Sequence, residues 1–380
     1  MRVSVAVWGR FWAFNLAAYL AKHQALQTLF TTYPVFKATQ MGVPASAVRS
    51  QVHWDVGARL WQRLPEFLQH PLHTYGLQHF DRWVSAQLQP ASVFVGWSGV
   101  CLESLVRART LGAKTVVERG SSHIHVQTQL LQEEYERWGY RFTATSSAII
   151  ERELAAYEQC DRICVPSSFA KETFLSQGFH PEQMLHLPFG VSLAEFFPET
   201  KNDQVFRIIH SGTVSLRKGI PYLLQAFAEL KLPNTELWLL GSLTAEAKPF
   251  LAKYADLPVI WKGKQPQAQL RRFYSQGSVF CLMSIEEGLA MVQPQAMACG
   301  LPVIHTPNTG GSDIVRDGID GFCVPIRDVE ALKEKILYLY ENPDILQEMS
   351  QNAHQRAQTA LSWEQYGERA IAAYQQLLAD

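Results

Sequence analysis

Two acidic side chains and a glycine lie between two apolar runs in the second half of the chain. The run Val279–Met283 leads into Glu286–Gly288, and the run Leu301–Ile304 follows a short helical stretch in which Pro294 marks the start. If both runs are strands of a parallel sheet, these acids and the adjacent backbone N–H groups lie at the carboxyl end of a strand. Parallel α/β sheets bind their ligands at that end. The block therefore predicts a ligand site.

A cationic loop precedes this block in the sequence. The apolar run Phe206–His210 is followed by a Ser-Gly-Thr turn and then by Arg217, Lys218 and Gly219. A Lys-Gly pair at the start of a surface helix is, taken alone, more typical of a solvated cation. Its position after a strand and a glycine turn, together with the acidic block, favours a role in binding an anionic ligand.

Together the two blocks resemble the donor-site signature of the family 4 retaining glycosyltransferases, which have the GT-B fold. The family pattern is Glu-Gly, a second glutamate after seven intervening residues, and then Ala-Met-Ala. Glu287 fills the first acidic position, and Gln295 stands where the second is expected. In the cationic loop Lys218 matches the family lysine, while Thr213 stands at the arginine position with Arg217 nearby. The resemblance covers nearly the whole chain.

The resemblance implies the fold and the reaction. The expected fold is α/β GT-B, with two Rossmann-like domains whose parallel sheets face each other across a cleft. The expected function is transfer of a hexose, with retention, from a UDP- or GDP-linked sugar to a lipid, glycan or small-molecule hydroxyl.

The resemblance also implies roles for particular residues. The catalytic set is Glu287, on a hydroxyl of the donor sugar, Lys218, on the phosphates, and His123, near the reacting sugar. Gly9, Arg10 and His123 are expected on the acceptor side. Glu286 is expected to be an exposed acid that stabilises the helix N-terminus. The expected donor-binding residues are Gly212, Thr213, Arg217, Lys218, Gly241, Gly263, Lys264, Gly288, Leu289, Ala290, Met291 and Gln295.

The sequence predicts that the reaction needs no metal and no cofactor. The charge on a leaving diphosphate is commonly stabilised either by a metal held in an Asp-x-Asp motif or by fixed cations with a helix N-terminus. The chain contains no Asp-x-Asp motif. It also shows no Ser-His-Asp or paired-acid pattern for a covalent intermediate, which fits the front-face attack usually ascribed to the family.

Alternating apolar runs and amphipathic stretches predict βαβ units and parallel sheets. We place the domain boundary in the Pro-containing stretch near residue 195, so that residues 1–195 form the first domain and 196–362 the second. Residues 363–380 are predicted to form a last helix that packs back on the first domain, with Ser362 as its N-cap. The predicted strands are Val3–Val7, Leu26–Thr31, Ser92–Trp97, Lys114–Glu118, Arg162–Pro166, Met184–Pro188, Phe206–His210, Glu236–Leu240, Val259–Lys262, Val279–Met283, Pro302–His305 and Phe322–Pro325.

Composition limits the partners. The chain has 380 residues, 47% of them apolar, and a net charge of −1, which argues against a nucleic-acid-binding protein. Residues 1–100 carry eight Arg or Lys against three acids, and six of the ten tryptophans. We expect a cytoplasmic protein in which these rings either form core or support peripheral contact with the inner face of the membrane. The six scattered cysteines predict buried thiols rather than a zinc site.

Three other functions are compatible with parts of the sequence to different degrees. A GT-B subunit that binds sugar nucleotides with little or no turnover remains open, because Thr213 and Gln295 depart from the family pattern. A GT-B epimerase is disfavoured by the lack of an acid/base pair. A Rossmann dehydrogenase is disfavoured because no Gly-x-Gly-x-x-Gly follows the first strand.

Overall fold

The computed structural model describes residues 1–61 and 66–380 and contains two parallel β-sheets with helices on their faces. Arg63, one of the basic residues counted above, lies outside the described residues, as do the side chains of Arg59 and Glu66. The prediction of an α/β protein with two Rossmann-like units is confirmed.

The first sheet has seven strands in the order β3-β2-β1-β4-β5-β6-β7. Its strands are β1 (Val3–Val7), β2 (Leu26–Thr31), β3 (Val48–Ser50), β4 (Val93–Trp97), β5 (Lys114–Glu118), β6 (Arg162–Val165) and β7 (Met184–His186). Its helices are α1 (Ala13–Lys22), α2 (Val35–Thr39), α3 (Val52–Trp61), α4 (Glu66–Gln87), α5 (Leu102–Thr110), α6 (Ile124–Arg137), α7 (Ser147–Gln159) and α8 (Ser168–Leu175). Strand β3 was not predicted from the sequence, because three residues with a single apolar member produce no recognisable run.

The second sheet has six strands in the order β10-β9-β8-β11-β12-β13. Its strands are β8 (Phe206–Ser211), β9 (Thr235–Leu240), β10 (Val259–Gly263), β11 (Val279–Leu282), β12 (Val303–His305) and β13 (Gly321–Cys323). The helices that follow are α9 (Ile220–Leu230), α10 (Lys248–Lys253), α11 (Gln267–Tyr274), α12 (Val292–Ala298), α13 (Val329–Glu341), α14 (Pro343–Ala360) and α15 (Trp363–Ala379). The strand order reverses between β8 and β11, and such a reversal opens a crevice at the carboxyl ends of the two strands.

Helix α15 packs against α1 of the first domain. Gly367 allows the close approach, because a Cβ at this position would lie 2.1 Å from the Tyr19 ring. Lys22 pairs with Glu364 at 2.7 Å. The predicted N-cap is also present: Ser362 Oγ accepts a hydrogen bond from the Gln365 backbone N–H, and the Gln365 side chain accepts one from the Ser362 N–H.

Tryptophans of the first domain pack against one another and against other rings. Trp12 and Trp97 are buried, with ring centroids 5.2 Å apart, and Trp8 lies 6.2 Å from Trp54. Most of their indole surface therefore contributes to packing inside the first domain. Across residues 1–61 and 66–380, no helix is both long and apolar enough to cross a membrane.

Candidate active site

Lys218 and Glu287 meet where the strand order of the second sheet reverses. Lys218 follows β8 and Glu287 follows β11, and these strands are hydrogen-bonded neighbours. The Lys218 Nζ lies 2.5 Å from Glu287 Oε1, and only 16% and 12% of the two side chains are exposed. The crevice expected at this point of a doubly wound sheet thus holds a cation and a carboxylate in direct contact.

Gly219 makes this meeting possible. Its φ of +65° lies in the left-handed region, and a Cβ there would fall 1.9 Å from the carbonyl oxygen of Met283. Only glycine permits so close an approach of the turn before α9 to the end of β11. A backbone hydrogen bond from Ile285 N to Arg217 O, 2.8 Å long, ties the two loops together.

Arg217 holds both acids of the block. Its Nε donates to the Glu286 carbonyl at 3.0 Å, and its guanidinium lies 2.9 Å from Glu286 Oε2 and 3.8 Å from Glu287 Oε1. Burial by itself would lower the pKa of Arg217, but Glu287 and Glu286 outweigh it and the pKa is raised. The guanidinium therefore stays charged and leaves a fixed cation beside the Lys218 ammonium.

Glu286 corrects the expectation of an exposed neighbour. Its side chain is fully buried and receives hydrogen bonds across the cleft from Ser121 Oγ and Ser122 Oγ, each at 2.6 Å, and from Gln127 Nε2 at 3.0 Å. Burial alone would raise the pKa of Glu286, but Arg217 and these donors hold it below its usual value. Glu286 thus joins the two domains. Two adjacent acids look alike in sequence, and no local signal separated their roles.

The loop between Glu287 and α12 is packed more tightly than expected. A Cβ at Gly288 would lie 2.1 Å from the Gly120 carbonyl oxygen, and the Gly288 carbonyl accepts a hydrogen bond from Ser167 Oγ at 2.6 Å. The Ala290 N–H, expected to be free for a ligand, instead donates to the Thr309 carbonyl at 3.1 Å. Leu289 is buried as well. This segment therefore forms part of the contact between the domains.

Gln295 lies in α12 and is 9% exposed. Its Oε1 accepts a hydrogen bond from the Tyr274 hydroxyl at 3.5 Å. Pro294, predicted to mark the helix start, occupies the first turn of α12. Met291, directly before this helix, is half-buried.

Three predicted glycines come together at the carboxyl ends of β8, β9 and β10. A Cβ at Gly241 would lie 1.7 Å from the Gly212 carbonyl oxygen. The Gly241 N–H donates a hydrogen bond to the Gly263 carbonyl at 2.9 Å. The Lys218 side chain crosses Gly212, because a Cβ there would be 3.4 Å from Lys218 Cε. Thr213 and Lys264 are exposed beside this group.

The first-domain predictions are only partly brought to the cleft. Gly9 lies in the loop after β1. Its N–H donates to the Thr32 hydroxyl at 2.9 Å, and its carbonyl accepts from the Thr31 hydroxyl at 2.6 Å. Arg10, next to it, is exposed. His123 lies elsewhere. Its ring packs in an aromatic cluster made by Tyr157, Phe174 and Phe179.

The burial of His123 affects its chemistry. Burial, together with neighbouring His125 and Arg119, lowers its pKa to about 4. The ring is 2% exposed and is not among the residues that line the cavity described next. The placement does not support the expectation that His123 stands beside the reacting sugar. The sequence could not show that the ring belongs to a core cluster formed with α7 and α8.

A cavity of 430 Å³ opens in the first domain next to Arg217 of the second. The loop after β1 supplies Trp8, Phe11 and Trp12 to its wall, and its polar side includes Arg119 and Glu153. These residues were missed as site residues. Glu153 lies inside α7 and carries no sequence signal. Among residues 1–61 and 66–380, no group of three or more His, Cys, Asp or Glu side chains is placed to hold a metal ion.

Comparison with known proteins agrees with this geometry. Residues 192–356 match the family model for glycosyl transferases group 1. The second domain is a group 1 glycosyltransferase domain. The matched residues include Arg217, Lys218, Glu287 and Gln295.

Relatives of the group 1 glycosyltransferase domain are moderately similar. A Mycolicibacterium hassiacum protein named MMP alpha-(1->4)-mannosyltransferase is 26% identical over 225 residues, which are 57% of this chain and 54% of that protein. The Staphylococcus aureus capsular polysaccharide biosynthesis glycosyltransferase CapM is 30% identical over 185 residues, 46% of this chain and 47% of that one. The chain thus spans about half the length of the curated relatives it matches.

Solved structures match along the whole chain. Sucrose-phosphate synthase from Thermosynechococcus elongatus superposes with a TM-score of 0.71 at 18% identity, covering 100% of this chain and 99% of that one. Anabaena HepE in complex with UDP also superposes with a TM-score of 0.71, at 13% identity, covering 99% and 100%. At such identities the likeness concerns the fold, and the GT-B fold predicted from the sequence is confirmed.

Proposed function

We propose that the protein is a retaining glycosyltransferase of family 4. It would transfer a hexose from a UDP- or GDP-linked sugar to a hydroxyl of a lipid, glycan or small molecule. The observation that carries the proposal is the contact between Lys218 and Glu287 in a group 1 glycosyltransferase domain, at the reversal point of the sheet. A cation and a hydrogen-bond acceptor side by side suit a ligand that carries both phosphates and hydroxyls.

In this proposal Lys218 and Arg217 stabilise the negative charge of the leaving group. Lys218 and Arg217 face the donor diphosphate, whose charge grows as the bond from the sugar C1 to the phosphate oxygen breaks. Glu287 accepts a hydrogen bond from a donor-sugar hydroxyl, because a carboxylate placed against the phosphates would repel them. The bond from the acceptor oxygen to C1 forms on the same face. The acceptor proton passes to the phosphate oxygen, so a nucleoside diphosphate and a glycoside leave.

The proposal assigns no cofactor and no metal. Fixed positive charge from Lys218 and Arg217 would take the role that a metal ion plays in other transferases. Relatives support a nucleotide-sugar donor by name alone: one is called a mannosyltransferase, and one similar structure holds UDP. The domain limits proposed are 1–195 with 363–380, and 196–362.

The proposed location is the cytoplasm, with peripheral contact at the inner face of the membrane. Support comes from exposed apolar side chains of the first domain, Phe36, Val56 and Leu60, together with the exposed cations Lys37 and Arg49. Co-sedimentation with phosphatidylglycerol vesicles, absent with phosphatidylcholine vesicles and reversed by salt, is the expected result. Equal recovery with both vesicle types, or with neither, contradicts the membrane contact.

The activity is tested by nucleotide release from a panel of UDP- and GDP-hexoses. The wild type should release UDP or GDP from at least one donor, and Glu287→Ala should lose most of that rate because the sugar is no longer oriented. Glu348→Ala, an exposed glutamate on α14, is the matched control and should keep the wild-type rate. Equal release by the wild type and Glu287→Ala would refute the role given to Glu287.

One alternative has specific support. Thr213 and Gln295 stand where the family carries an arginine and a glutamate, and Gln295 is held by Tyr274 in a nearly buried position. A GT-B subunit that binds sugar nucleotides with little turnover accounts for both. Donor binding in a thermal-shift assay, without nucleotide release under any condition, would favour this subunit over an enzyme.

A further inference from the structure

The cavity of the first domain has two chemically different parts. Its wall carries aromatic rings from the loop after β1 and from the end of β4: Trp8, Phe11, Trp12 and Trp97. Its other side carries Arg119, Glu153 and Gln127. A ligand that fills this space needs an apolar face and hydrogen-bonding groups at once.

The aromatic wall is held rigidly. Trp12 donates its indole N–H to buried Glu118 at 3.2 Å, and its ring lies 4.2 Å from Phe189 and 5.2 Å from Trp97. Gly120 packs directly against the Trp12 ring, since a Cβ at position 120 would be 2.3 Å from that ring. A preformed ring surface loses little entropy when a flat ligand covers it.

Arg119 already makes hydrogen bonds within the protein through all three of its nitrogens. Its Nε donates to the Ser122 carbonyl at 3.0 Å, one terminal nitrogen to Glu153 Oε2 at 2.8 Å, and the other to Gln127 Oε1 at 2.9 Å. Three of its five N–H groups are therefore used within the protein. A phosphate or carboxylate ligand here would meet the negative charge of Glu153, and the Arg119 cation beside it is already paired with that carboxylate.

The two carboxylate oxygens of Glu153 differ in their hydrogen bonds. Among the described residues, the hydrogen bonds seen at this carboxylate, from Arg119 and from the Tyr157 hydroxyl, both end on Oε2. The second oxygen, Oε1, lies beside Gly99, where a Cβ would be only 3.4 Å away. Gly99 has a φ of +79° and also lines the cavity. The missing side chain leaves Oε1 open to an incoming hydroxyl.

We propose that this cavity binds a neutral pyranose ring, with Glu153 Oε1 accepting a hydrogen bond from a ring hydroxyl and the aromatic wall covering the C–H face of the sugar. An alkyl chain fits less well, because it would bury the Arg119–Glu153 pair and Gln127 without hydrogen bonds to replace water. The proposal rests on the proposed function, since it makes the acceptor of the transfer a sugar unit.

Binding is measured without relying on turnover. Saturation-transfer NMR and tryptophan fluorescence are recorded with the methyl pyranosides of glucose, galactose and mannose, each with and without UDP. At least one glycoside should bind the wild type. Glu153→Gln and Gly99→Ala should each weaken that binding about tenfold, because one removes the charged acceptor and the other covers it. Glu158→Gln, an exposed change on the same helix α7, should leave binding as it is.

Several outcomes would overturn the proposal. The first is that no glycoside binds, with or without UDP. The second is that both cavity variants bind the glycoside with unchanged affinity. The third is that only dodecyl phosphate binds, which would make the ligand a lipid phosphate. Thermal unfolding separates a folding defect from a lost contact, and Phe11→Ala, an exposed ring of the wall, gives a second variant that should weaken binding. Nucleotide release without glycoside binding would refute this inference and leave the transferase proposal standing. Glycoside binding without nucleotide release would refute the transferase proposal and the acceptor role, and leave the pyranose-binding site standing.

Discussion

The Lys218 ammonium and the Glu287 carboxylate form an ion pair, 2.5 Å between Nζ and Oε1, although 68 residues separate them in the sequence. Each side chain follows a strand, and those two strands, β8 and β11, are adjacent only because the strand order reverses there. The pair is partly shielded from water, so its charges act more strongly on a nearby phosphate or hydroxyl than exposed charges would.

Replacing Lys218 with alanine should weaken sugar-nucleotide binding by about 1–3 kcal/mol, the loss expected for a hydrogen bond to a charged group. Isothermal titration with the preferred donor measures the change. Lys253→Ala removes an exposed lysine of α10 and should have no effect on binding. A dissociation constant that does not move in Lys218→Ala contradicts the phosphate contact.

Gln295→Glu should keep or tighten nucleotide binding. A carboxylate at this position can still accept the hydrogen bond from Tyr274 and would add charge to the expected contact with the donor nucleotide, a gain on the order of 1 kcal/mol. The dissociation constant of UDP or GDP reports the change, with exposed Gln355→Glu as the control. A collapse of affinity with an intact melting temperature would mean that the amide itself recognises the ligand.

Glu286→Ala should destabilise the protein by about 2–3 kcal/mol. It removes a buried carboxylate that pairs with Arg217 and satisfies the hydroxyls of Ser121 and Ser122 in the other domain. Chemical denaturation measures the loss, and the exposed Glu348→Ala is a neutral comparison. An unchanged free energy of unfolding would show that the contact between domains does not depend on this carboxylate.

Glu118 should make stability depend on pH. Burial raises its pKa from 4.5 to about 7, despite hydrogen bonds from Cys164 and Trp12 that lower it. Between pH 4.5 and 7, Glu118 in the folded protein therefore keeps a proton that the unfolded chain releases. The stabilisation that this proton contributes is present at pH 4.5 and is lost as the pH rises to 7.

Glu118→Gln removes this titration. As the pH rises from 4.5 to 7, the free energy of unfolding of the variant should increase relative to that of the wild type by up to about 3 kcal/mol. Denaturant titrations at a series of pH values follow the difference, and exposed Glu182→Gln should run parallel to the wild type. A constant difference between Glu118→Gln and the wild type would rule out a neutral carboxyl at position 118.

The fold was largely accessible from the amino-acid sequence. Apolar runs of four to six residues, separated by amphipathic stretches, identified twelve of the thirteen strands in the described part of the chain, because buried strands of parallel sheets are apolar on both faces. The one missed strand, Val48–Ser50, lies at an edge of the first sheet and is too short to form such a pattern.

By itself, the sequence determined the alternation of strands and helices, the position of the cationic and acidic loops after β8 and β11, and the glycines that allow tight turns there. These are local properties, set by residue type and spacing. Only the tertiary structure decided that Glu286 is buried between the domains, that His123 belongs to an aromatic cluster, and that Trp12, Arg119 and Glu153 share a cavity. The reason is that burial and partner choice depend on which distant elements pack together, and a pattern of neighbouring residues carries no record of that packing.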